Sequence, residues 1–193
     1  MHKIVLASQS PRRKQLMELA ELEFEIAIAD VDETNPPGML GDLVPEHLAK
    51  KKAAAIEQQV HDAIIIAADT VVLLDHEILG KPKDEADAIN ILTKLAGRVH
   101  KVVTGVCLQK GDKQVSFSTT TEVHFRPLTQ EQIKHYIANY KPYDKAGAYA
   151  IQEWIGMIGI EKINGDYYNV MGLPIGEVVK CLNRDFLALT RSN

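Results

Sequence analysis

Apolar and polar positions along the chain follow two periodicities, which together predict alternating β-strands and α-helices. Apolar runs bounded by turn residues predict strands over residues 3–7, 24–29, 63–74, 99–108 and 114–125. Apolar residues spaced three or four apart predict helices over residues 11–22, 45–60, 84–96 and 129–140, and a last helix that Pro174 opens. Hairpin turns at residues 75–77 and 110–113 interrupt the strand–helix rhythm. The pattern therefore predicts an α/β fold with a mixed β-sheet flanked by helices.

Local signals add detail to this pattern. Leu16, Leu19 and Ala20 fall on the side of the first helix that should face the core. Thr129 followed by Gln132 has the spacing of a capping box, which favours a helix start at that point. The stretch DVDETNPPGMLGD, residues 30–42, is acidic and rich in turn residues, so we expect a long loop there.

Composition is typical of a globular protein and narrows the choice of partners. The 193 residues are 46% hydrophobic and 25% charged, and the net charge of −4 gives no general attraction to nucleic acid or to anionic membranes. Cys107 and Cys181 lie inside apolar stretches, as expected for buried thiols in a reducing compartment. No signal peptide is recognisable and no apolar run approaches the ~18–20 residues of a membrane span. We expect a cytoplasmic protein, with one domain over residues 1–193.

Two arginines stand at the start of the first predicted helix, in the stretch KIVLASQSPRRKQL. Ser10 is a good N-cap and Pro11 a natural first helical residue, so Arg12 and Arg13 fall in the first turn. There they oppose the positive end of the helix dipole, at a cost of up to ~0.3–1 kcal/mol per charge. A bound polyphosphate would relieve this conflict, because arginine binds phosphate oxygens bidentately. The spacing equally allows two solvated arginines paired with carboxylates such as Glu18.

The second predicted helix, PEHLAKKKAAAIEQQV, contains three consecutive lysines that point in different directions. Lys51 lies opposite the apolar stripe and should be solvated, whereas Lys52 lies about 60° from the stripe at ~100° per residue. Lys52 is therefore the lysine best placed to reach a pocket, although a surface lysine that lays its stem on apolar surface would have the same position. The stripe consists of Ala49, Ala53, Ile56 and Val60.

Asp69 and Thr70 interrupt the most apolar run of the chain, AIIIAADTVVLL. A carboxylate in such a run is costly unless it is paired, binds a metal or faces a cleft, and the alternative is a structural turn or bulge. Lys81, in the following GKP, offers another cation, and Glu33 on the acidic loop offers a second carboxylate. Mg²⁺ prefers oxygen ligands together with phosphate, so Asp69 and Glu33 are the candidate metal ligands. No two of the seven histidines have the spacing of a zinc site.

Segments along almost the whole chain, from Ile4 to about Leu182, resemble one family in their order and spacing. They are SQSPRR, DE at residues 32–33, LAKKKA, AADTVV, LGKP, LAGRVHKVVTGV and DKAGAYAIQ. Together they resemble the Maf family of nucleoside triphosphate pyrophosphatases. The resemblance implies a fold similar to that of inosine triphosphate pyrophosphatase, with an elongated mixed sheet and two lobes around a central cleft.

The resemblance also implies a reaction and a cofactor. It implies hydrolysis of a nucleoside triphosphate to the monophosphate and pyrophosphate with a divalent cation, Mg²⁺ or else Mn²⁺ or Co²⁺. The DKAGAYAIQ segment resembles the branch that acts on dTTP and UTP, with modified pyrimidine nucleotides as further substrates. A homodimer and a link to septum formation are further implications of the family.

Position by position, the resemblance assigns roles to individual residues. Asp69 matches the proton acceptor, and Lys52 and Lys81 complete the catalytic set that we predict. Substrate-binding positions are Ser8, Arg12, Arg13, Thr70 and Gln152, of which Arg12, Thr70 and Gln152 are associated with specificity. Gln152 is followed by Glu153 and Trp154, where a glycine is frequent in the family, which leaves the exact shape of the base pocket open.

These roles combine into a mechanism with two alternatives. Asp69 would deprotonate a water for attack on the α-phosphorus, and the cations would stabilise the leaving pyrophosphate. One alternative is the same chemistry on a methylated or non-canonical purine triphosphate. The other is a regulator of cell division that binds nucleotide without turnover. A nucleic-acid-binding module is disfavoured because the chain has no basic and aromatic stripe.

Overall fold

A mixed β-sheet forms the centre of the protein in a computed structural model that describes residues 2–34 and 36–187. Its strands are β1 (Lys3–Ala7), β2 (Glu25–Ile26), β3 (Ala63–Leu74), β4 (Glu77–Leu79), β5 (Val99–Lys110), β6 (Lys113–Phe125) and β7 (Ile160–Asn164). The order across the sheet is β2-β1-β3-β5-β6-β7, with β4 beside β3. β1 runs parallel to β2 and β3, whereas the pairs β3–β5, β5–β6 and β6–β7 are antiparallel. The predicted mixed α/β sheet is confirmed.

Helices pack on both faces of this sheet. They are α1 (Pro11–Leu19), α2 (Val44–Glu57), α3 (Glu85–Leu95), α4 (Gln130–Tyr140), α5 (Trp154–Gly159), α6 (Tyr167–Met171) and α7 (Ile175–Cys181), with a π-helical segment (Leu182–Leu187) after the last. Each helix predicted from the sequence is present, and Thr129 and Gln132 form both hydrogen bonds of the capping box. The short helices α5 and α6 were not predicted.

Two predicted details at the amino-terminal end are wrong. α1 ends at Leu19 because the chain turns at Glu21, which has a left-handed φ of 55°. Leu19 is consequently exposed, and Met17 instead packs in the core beside Leu16. The second strand covers only Glu25–Ile26, since it lies at the sheet edge and pairs only with two residues of β1.

Strand β3 is apolar along most of its length because helices cover both of its faces. Ile65 and Ala67 pack towards α2 in one core cluster, and Val71 and Leu73 pack towards the start of the same helix in another. The alternate residues of β3 face the larger core cluster on the other side of the sheet. The pleat therefore places Asp69 on the α2 face and Thr70 on the opposite face.

A gap in strand pairing lies in the middle of β3. β1 pairs with β3 only up to Ala67, and β4 begins to pair with it at Val72. Between these points β3 has β5 on one side, with Asp69 opposite Gly105 and Thr70 opposite Thr104, and no strand among the described residues on the other. The gap separates a β1–β2 lobe from a β4 lobe, so the predicted two lobes with a central cleft are present.

Gly105 allows α2 to lie close to the sheet beside Asp69. A Cβ atom at Gly105 would be 2.1 Å from the Glu46 nitrogen and 2.3 Å from the Pro45 carbonyl carbon. Any side chain would therefore push the start of α2 away from the sheet. This close approach sets the height of the helix from which Lys52 extends.

Two further observations bear on the predictions from composition. Cys107 and Cys181 are buried and unbridged, as predicted. No helix among residues 2–34 and 36–187 has both the length and the apolar character that crossing a membrane requires.

Candidate functional site

The gap in β3 opens into a cleft of about 1050 Å³, a volume large enough for a small organic ligand. Its walls come from the β1–α1 connection, the loop at residues 28–33, the middle of β3, the turn after β4 and the segment at residues 144–152. The cleft brings together every site residue predicted from the sequence: Ser8, Arg12, Arg13, Glu33, Lys52, Asp69, Thr70, Lys81 and Gln152.

On the α2 face of the gap, Lys52 links two carboxylates. Its Nζ lies 2.6 Å from Asp69 Oδ1 and 2.8 Å from Glu33 Oε1. The side chains of Lys52 and Asp69 are only 15% and 16% exposed, whereas that of Glu33 is 58% exposed. The hydrogen bond from Lys52 lowers the pKa of Glu33, and the nearby charges of Lys81 and Arg13 act in the same direction. These groups form a charged cluster with one member on an exposed loop.

The other two lysines of the run have separate partners. Lys50 pairs with Glu46 one turn earlier on α2, at 2.8 Å. Lys51, predicted to be solvated, has intermediate exposure and donates a solvent-exposed hydrogen bond to the Asp32 backbone carbonyl. The acidic loop thus folds back onto α2, which holds Glu33 near Lys52.

Asp69 and Thr70 lie in uninterrupted strand, so the alternative of a turn or bulge at this position is wrong. On the Thr70 face, the Thr70 Oγ1 is 2.9 Å from Thr104 Oγ1 and accepts a hydrogen bond from Arg13 Nη2 at 3.0 Å. Thr104 in turn donates to the Asn169 backbone carbonyl at 3.2 Å. Thr70 is therefore part of a hydrogen-bonded network that reaches α6.

Arg13 donates hydrogen bonds to residues on both sides of the gap. Its Nε donates to the Gly172 carbonyl at 2.8 Å, and its Nη1 donates to the Ala68 carbonyl at 2.8 Å and to Ser8 Oγ at 3.2 Å. Burial lowers the pKa of Arg13, partly offset by the negative charge of Asp69. The alternative of a solvated Arg13 is wrong, and Glu18 pairs with Lys14 instead, at 3.5 Å.

Arg12 lies at the mouth of the cleft and has one partner in the described residues. Its Nη1 is 2.9 Å from Asp144 Oδ2. Ser10 and Pro11 hold the predicted N-cap and first helical positions, although the Ser10 side chain makes no cap hydrogen bond. The first turn of a helix has backbone N–H groups without intrahelical partners, which favours an anion at this end of α1.

Lys81 and Gln152 line the cleft from its far side, and both are exposed. Lys81 follows β4 directly, and the neighbouring Gly80 carbonyl accepts a hydrogen bond from the Gly147 backbone at 3.1 Å. Gly147 has a left-handed φ of 70°, and a Cβ there would be 2.9 Å from Val72 Cγ2. This glycine therefore seats the segment that carries Gln152 against the turn that carries Lys81.

Glu153 and Trp154, which depart from the family pattern, do not line the cleft. Glu153 accepts a hydrogen bond from the Tyr136 hydroxyl, and the Trp154 ring lies 4.8 Å from the His135 ring. Both side chains thus pack behind the segment that presents Gln152 to the cleft.

Sequence reasoning missed two charged residues of the cleft wall, Asp144 and Lys145. Both belong to the DKAGAYAIQ segment, but only Gln152 was singled out there. Lys145 is 8% exposed, and its Nζ is 2.7 Å from Asp144 Oδ1. An adjacent acid–base pair within an otherwise small and apolar segment was the signal that could have identified them.

His100, which the sequence left as ordinary, lies behind the cleft. It is 2% exposed, and its Nε2 is 2.7 Å from the hydroxyl of Tyr149, a cleft residue. Burial, with the charge of His124, lowers the pKa of His100 to about 3. The imidazole is therefore neutral at physiological pH.

The carboxylates of the cleft fit a hard divalent cation completed by substrate. No group of three or more His, Cys, Asp or Glu side chains suited to a metal occurs among residues 2–34 and 36–187. Asp69 and Glu33 nevertheless converge on one ammonium, so their oxygens lie close to each other. Mg²⁺ usually takes one or two carboxylates and fills its other positions with water and phosphate oxygens.

Two solved structures show a weak similarity to this chain. The HAM1 protein from Coxiella burnetii is 18% identical, with a TM-score of 0.48 over 65% of this chain and 73% of that chain. A nucleoside-triphosphatase, dITP/XTP pyrophosphatase, from Mycobacterium abscessus is 14% identical, with a TM-score of 0.45 over 98% of this chain and 100% of that chain. At these TM-scores neither likeness bears on the chemistry of the cleft.

Sequence relatives are much closer. A protein of Cytophaga hutchinsonii named dTTP/UTP pyrophosphatase is 47% identical over 95% of this chain and 84% of its own length. One of Phocaeicola vulgatus with the same name is 49% identical over 90% of this chain and 91% of its own length. The family model described as Maf-like protein matches residues 3–185, from β1 into the segment after α7. The chain therefore belongs to the Maf-like protein family.

Proposed function

We propose that the protein is a nucleoside triphosphate pyrophosphatase that hydrolyses dTTP and UTP to the monophosphate and pyrophosphate. The observation that carries the proposal is the contact of Asp69 with Lys52 inside a cleft that also holds Arg12, Lys81 and Gln152. The names of the sequence relatives, dTTP/UTP pyrophosphatase, support the same reaction.

The triphosphate would lie between the start of α1 and the lysines of the opposite wall. Arg12 uses one N–H on Asp144 and so keeps donors for phosphate oxygens, whereas four of the five Arg13 N–H groups already have partners. We therefore assign Arg12, Lys52 and Lys81 to the phosphates, and assign to Arg13 the holding of Ser8 and Thr70 in place. This assignment refines the sequence prediction, which placed both arginines among the substrate-binding residues and associated Arg12 with specificity.

Asp69 would orient and deprotonate the attacking water at the α-phosphorus. Lys52 fixes the rotamer of the Asp69 carboxylate and stands near the phosphates to stabilise developing negative charge. Asp69 and Glu33 are the residues that would hold Mg²⁺, or else Mn²⁺ or Co²⁺. A bound divalent cation would neutralise phosphate charge and polarise the bond to be cleaved.

Gln152 would select the base. Thymine and uracil present carbonyl acceptors beside an N3–H donor, and one amide side chain can match a carbonyl and the N3–H together. A site built on such hydrogen bonds rejects other bases because its polar groups would be left unpaired. Modified pyrimidines that keep this edge would also be substrates.

A panel of nucleoside triphosphates tests the proposal, with pyrophosphate release measured in Mg²⁺, Mn²⁺ and Co²⁺. We expect the highest kcat/KM with dTTP and UTP. Fastest turnover of a methylated or non-canonical purine triphosphate would replace the substrate assignment. No pyrophosphate from any nucleotide with any metal would overturn the reaction and favour a regulator without turnover.

Gln152→Ala tests the role of the amide. We expect the dTTP-over-dGTP ratio of kcat/KM to fall by about tenfold or more, with a smaller loss of overall hydrolysis. Gln58→Ala, at an exposed position after α2, is the matched control and should leave the ratio unchanged. Equal losses on all nucleotides would contradict base selection by Gln152.

The remaining expectations from the sequence and from the family resemblance stay predictions. They are a cytoplasmic location, the absence of nucleic-acid and membrane partners, a single domain over residues 1–193, a homodimer and a link to septum formation.

A further inference from the structure

A buried lysine stands in the segment that carries the base-selecting amide. Lys145 is 8% exposed, which is the lowest exposure of any lysine or arginine among the described residues. An ammonium group is placed in such surroundings at a large cost in desolvation, so its partners must hold it there. The proposed reaction does not use this charge, which raises the question of what it does.

The partners of Lys145 form a continuous chain across the cleft wall. Its Nζ lies 2.7 Å from Asp144 Oδ1 and 3.5 Å from Glu153 Oε1. The second oxygen of Asp144 is 2.9 Å from Arg12 Nη1, so this carboxylate joins two cations. Although burial raises it, hydrogen bonds from Lys145 and Arg12 lower the pKa of Asp144 to about 2. Asp144 therefore stays ionised at any physiological pH.

The other end of the chain reaches the backbone beside Gln152. Glu153 Oε2 accepts a hydrogen bond from the Tyr136 hydroxyl on α4. The oxygen of that hydroxyl accepts the Ala150 backbone N–H at 3.2 Å. The Glu153 N–H bonds the Ala150 carbonyl at 3.1 Å, so residues 150–153 form one tight turn with Gln152 inside it.

We infer that Lys145 is a positioning residue for base selection, because its ammonium, held between Asp144 and Glu153, fixes Arg12 on α1 relative to Gln152. The inference rests on the proposed function, in which Arg12 binds phosphate and Gln152 reads the base. A nucleotide spans both contacts at once, so the separation of the two groups decides which base meets the amide. We call Asp144, Lys145, Glu153 and Tyr136 the brace.

Two substitutions separate this role from direct contact with the nucleotide. Lys145→Met removes the ammonium and keeps the length of the side chain. Glu153→Gln removes the second anion of the brace from a position outside the cleft lining, and its amide oxygen still accepts from Tyr136. Glu161→Gln, on an exposed carboxylate of β7 away from the cleft, is the matched control.

If the brace positions the two groups, both substitutions lower the dTTP-over-dGTP ratio of kcat/KM, by about tenfold for Lys145→Met. The double variant should lose little more than Lys145→Met alone, since both changes break one network. Lys145→Arg should restore part of the ratio. Glu161→Gln should leave the ratio unchanged.

Two outcomes would overturn the inference. If Lys145→Met folds with an unchanged ratio, the brace does not select the base. If Lys145→Met lowers the ratio while Glu153→Gln leaves it unchanged, Lys145 acts by touching the nucleotide itself. Thermal melting shows whether each variant is folded, so that a lower ratio is not mistaken for unfolding. If Lys145→Met does not fold, the milder Glu153→Gln and Lys145→Arg still test the inference.

Binding measurements separate failure of the inference from failure of the proposed function. The affinities of the wild type and both variants for dTMP and dGMP, measured by calorimetry, report base selection without turnover. A wild type that prefers dTMP but releases no pyrophosphate from any nucleotide would overturn the proposed reaction alone. Variants that keep the wild-type preference for dTMP would overturn the brace alone.

Discussion

Asp69 and Thr70 are neighbours on one strand, yet they face two different environments across the sheet. Asp69 meets Lys52, whose other partner is Glu33 on an exposed loop, so its surroundings consist of charged side chains. Thr70 meets Arg13 and Thr104, whose further hydrogen bonds go to backbone carbonyls and, from Arg13, also to the Ser8 hydroxyl. One face of the gap is thus charged and adjustable, and the other is held by a dense hydrogen-bond network; we call them the adjustable face and the fixed face.

The difference follows from what each face must do. Hydrogen bonds to backbone carbonyls of strands and helices hold a side chain in one place, which suits the residues that set the shape of the cleft. Contacts among charged side chains, one of them on a loop, can rearrange when phosphate or a metal arrives. The fixed face, around Thr70, therefore holds the shape of the cleft while the charged side chains around Asp69 rearrange.

Asp69→Asn should have the largest effect, because it removes the proposed base from the adjustable face. We expect kcat for dTTP to fall by about 10²–10⁴-fold, the range for loss of a general base, with nucleotide affinity largely kept. Pyrophosphate release gives kcat, and calorimetry gives affinity. Near-wild-type turnover in this variant would contradict the assignment.

Asp75→Asn is the matched control for that substitution. Asp75 lies in the turn between β3 and β4, pairs with Arg98 at 2.6 Å and does not line the cleft. Its left-handed φ of 55° is one that asparagine also adopts readily. Turnover should stay at the wild-type level.

Gly105→Ala should displace the helix behind the adjustable face without changing a charged group. The added Cβ would be 2.1 Å from the Glu46 nitrogen, so α2 must move away from the sheet and carry Lys52 with it. We expect a loss in the free energy of unfolding of about 1–3 kcal/mol or more, measured by urea denaturation, and a lower kcat. Gly176→Ala in α7, where a Cβ would meet nothing within 4 Å, should not destabilise the protein. Wild-type stability of Gly105→Ala would show that α2 can shift at no cost.

Local pattern in the sequence was sufficient for the longer helices and strands but not for the gap that makes the site. The apolar run of β3 and the capping box at Thr129 fix their own structure, so both were predictable. The gap depends on how far β1 and β4 pair along β3, and pairing register between distant segments leaves no trace in local periodicity. The grouping of Lys52, Asp69 and Lys81 therefore came from resemblance to a family.

The hydrogen-bond partners of Arg13 could not be predicted from the sequence for the same reason. They include Gly172, which follows the five-residue helix α6, and Ala68, far away in the sequence. A helix of that length has too few positions to show a periodicity. Local pattern places both arginines in the first turn of one helix, and only the fold directs Arg12 to Asp144 at the cleft and Arg13 into the hydrogen-bond network around Thr70.

On the Thr70 face, His100 should make stability depend on pH. Its folded-state pKa of about 3 lies below the ordinary value of 6.5, so below pH 6.5 the unfolded chain takes up a proton that the folded protein does not. Above pH 6.5 the free energy of unfolding is not reduced by His100. As the pH falls from 6.5 towards 3, the free energy of unfolding decreases by up to about 1.4 kcal/mol per pH unit. We would measure the free energy of unfolding by urea denaturation at several pH values between 7 and 5. It should fall less steeply with decreasing pH for His100→Gln than for the wild type. His76→Gln, at an exposed turn position, should keep the pH dependence of the wild type. The same pH dependence in His100→Gln and the wild type would contradict the prediction.

Thr70→Val should have the smallest effect of the four and is the most direct test of the fixed face. The substitution keeps the shape of the side chain but removes the oxygen that Arg13 Nη2 and the buried Thr104 hydroxyl contact, so both groups lose a partner. We expect a loss of about 1–2 kcal/mol in the free energy of unfolding, since an unpaired buried polar group costs that much. Thr70→Ser, which keeps the hydroxyl, should recover most of it, and Thr120→Val at an exposed position of β6 should be close to neutral. Equal stability of Thr70→Val and the wild type would mean that the network can rearrange, and the two faces of the gap would then differ in charge but not in rigidity.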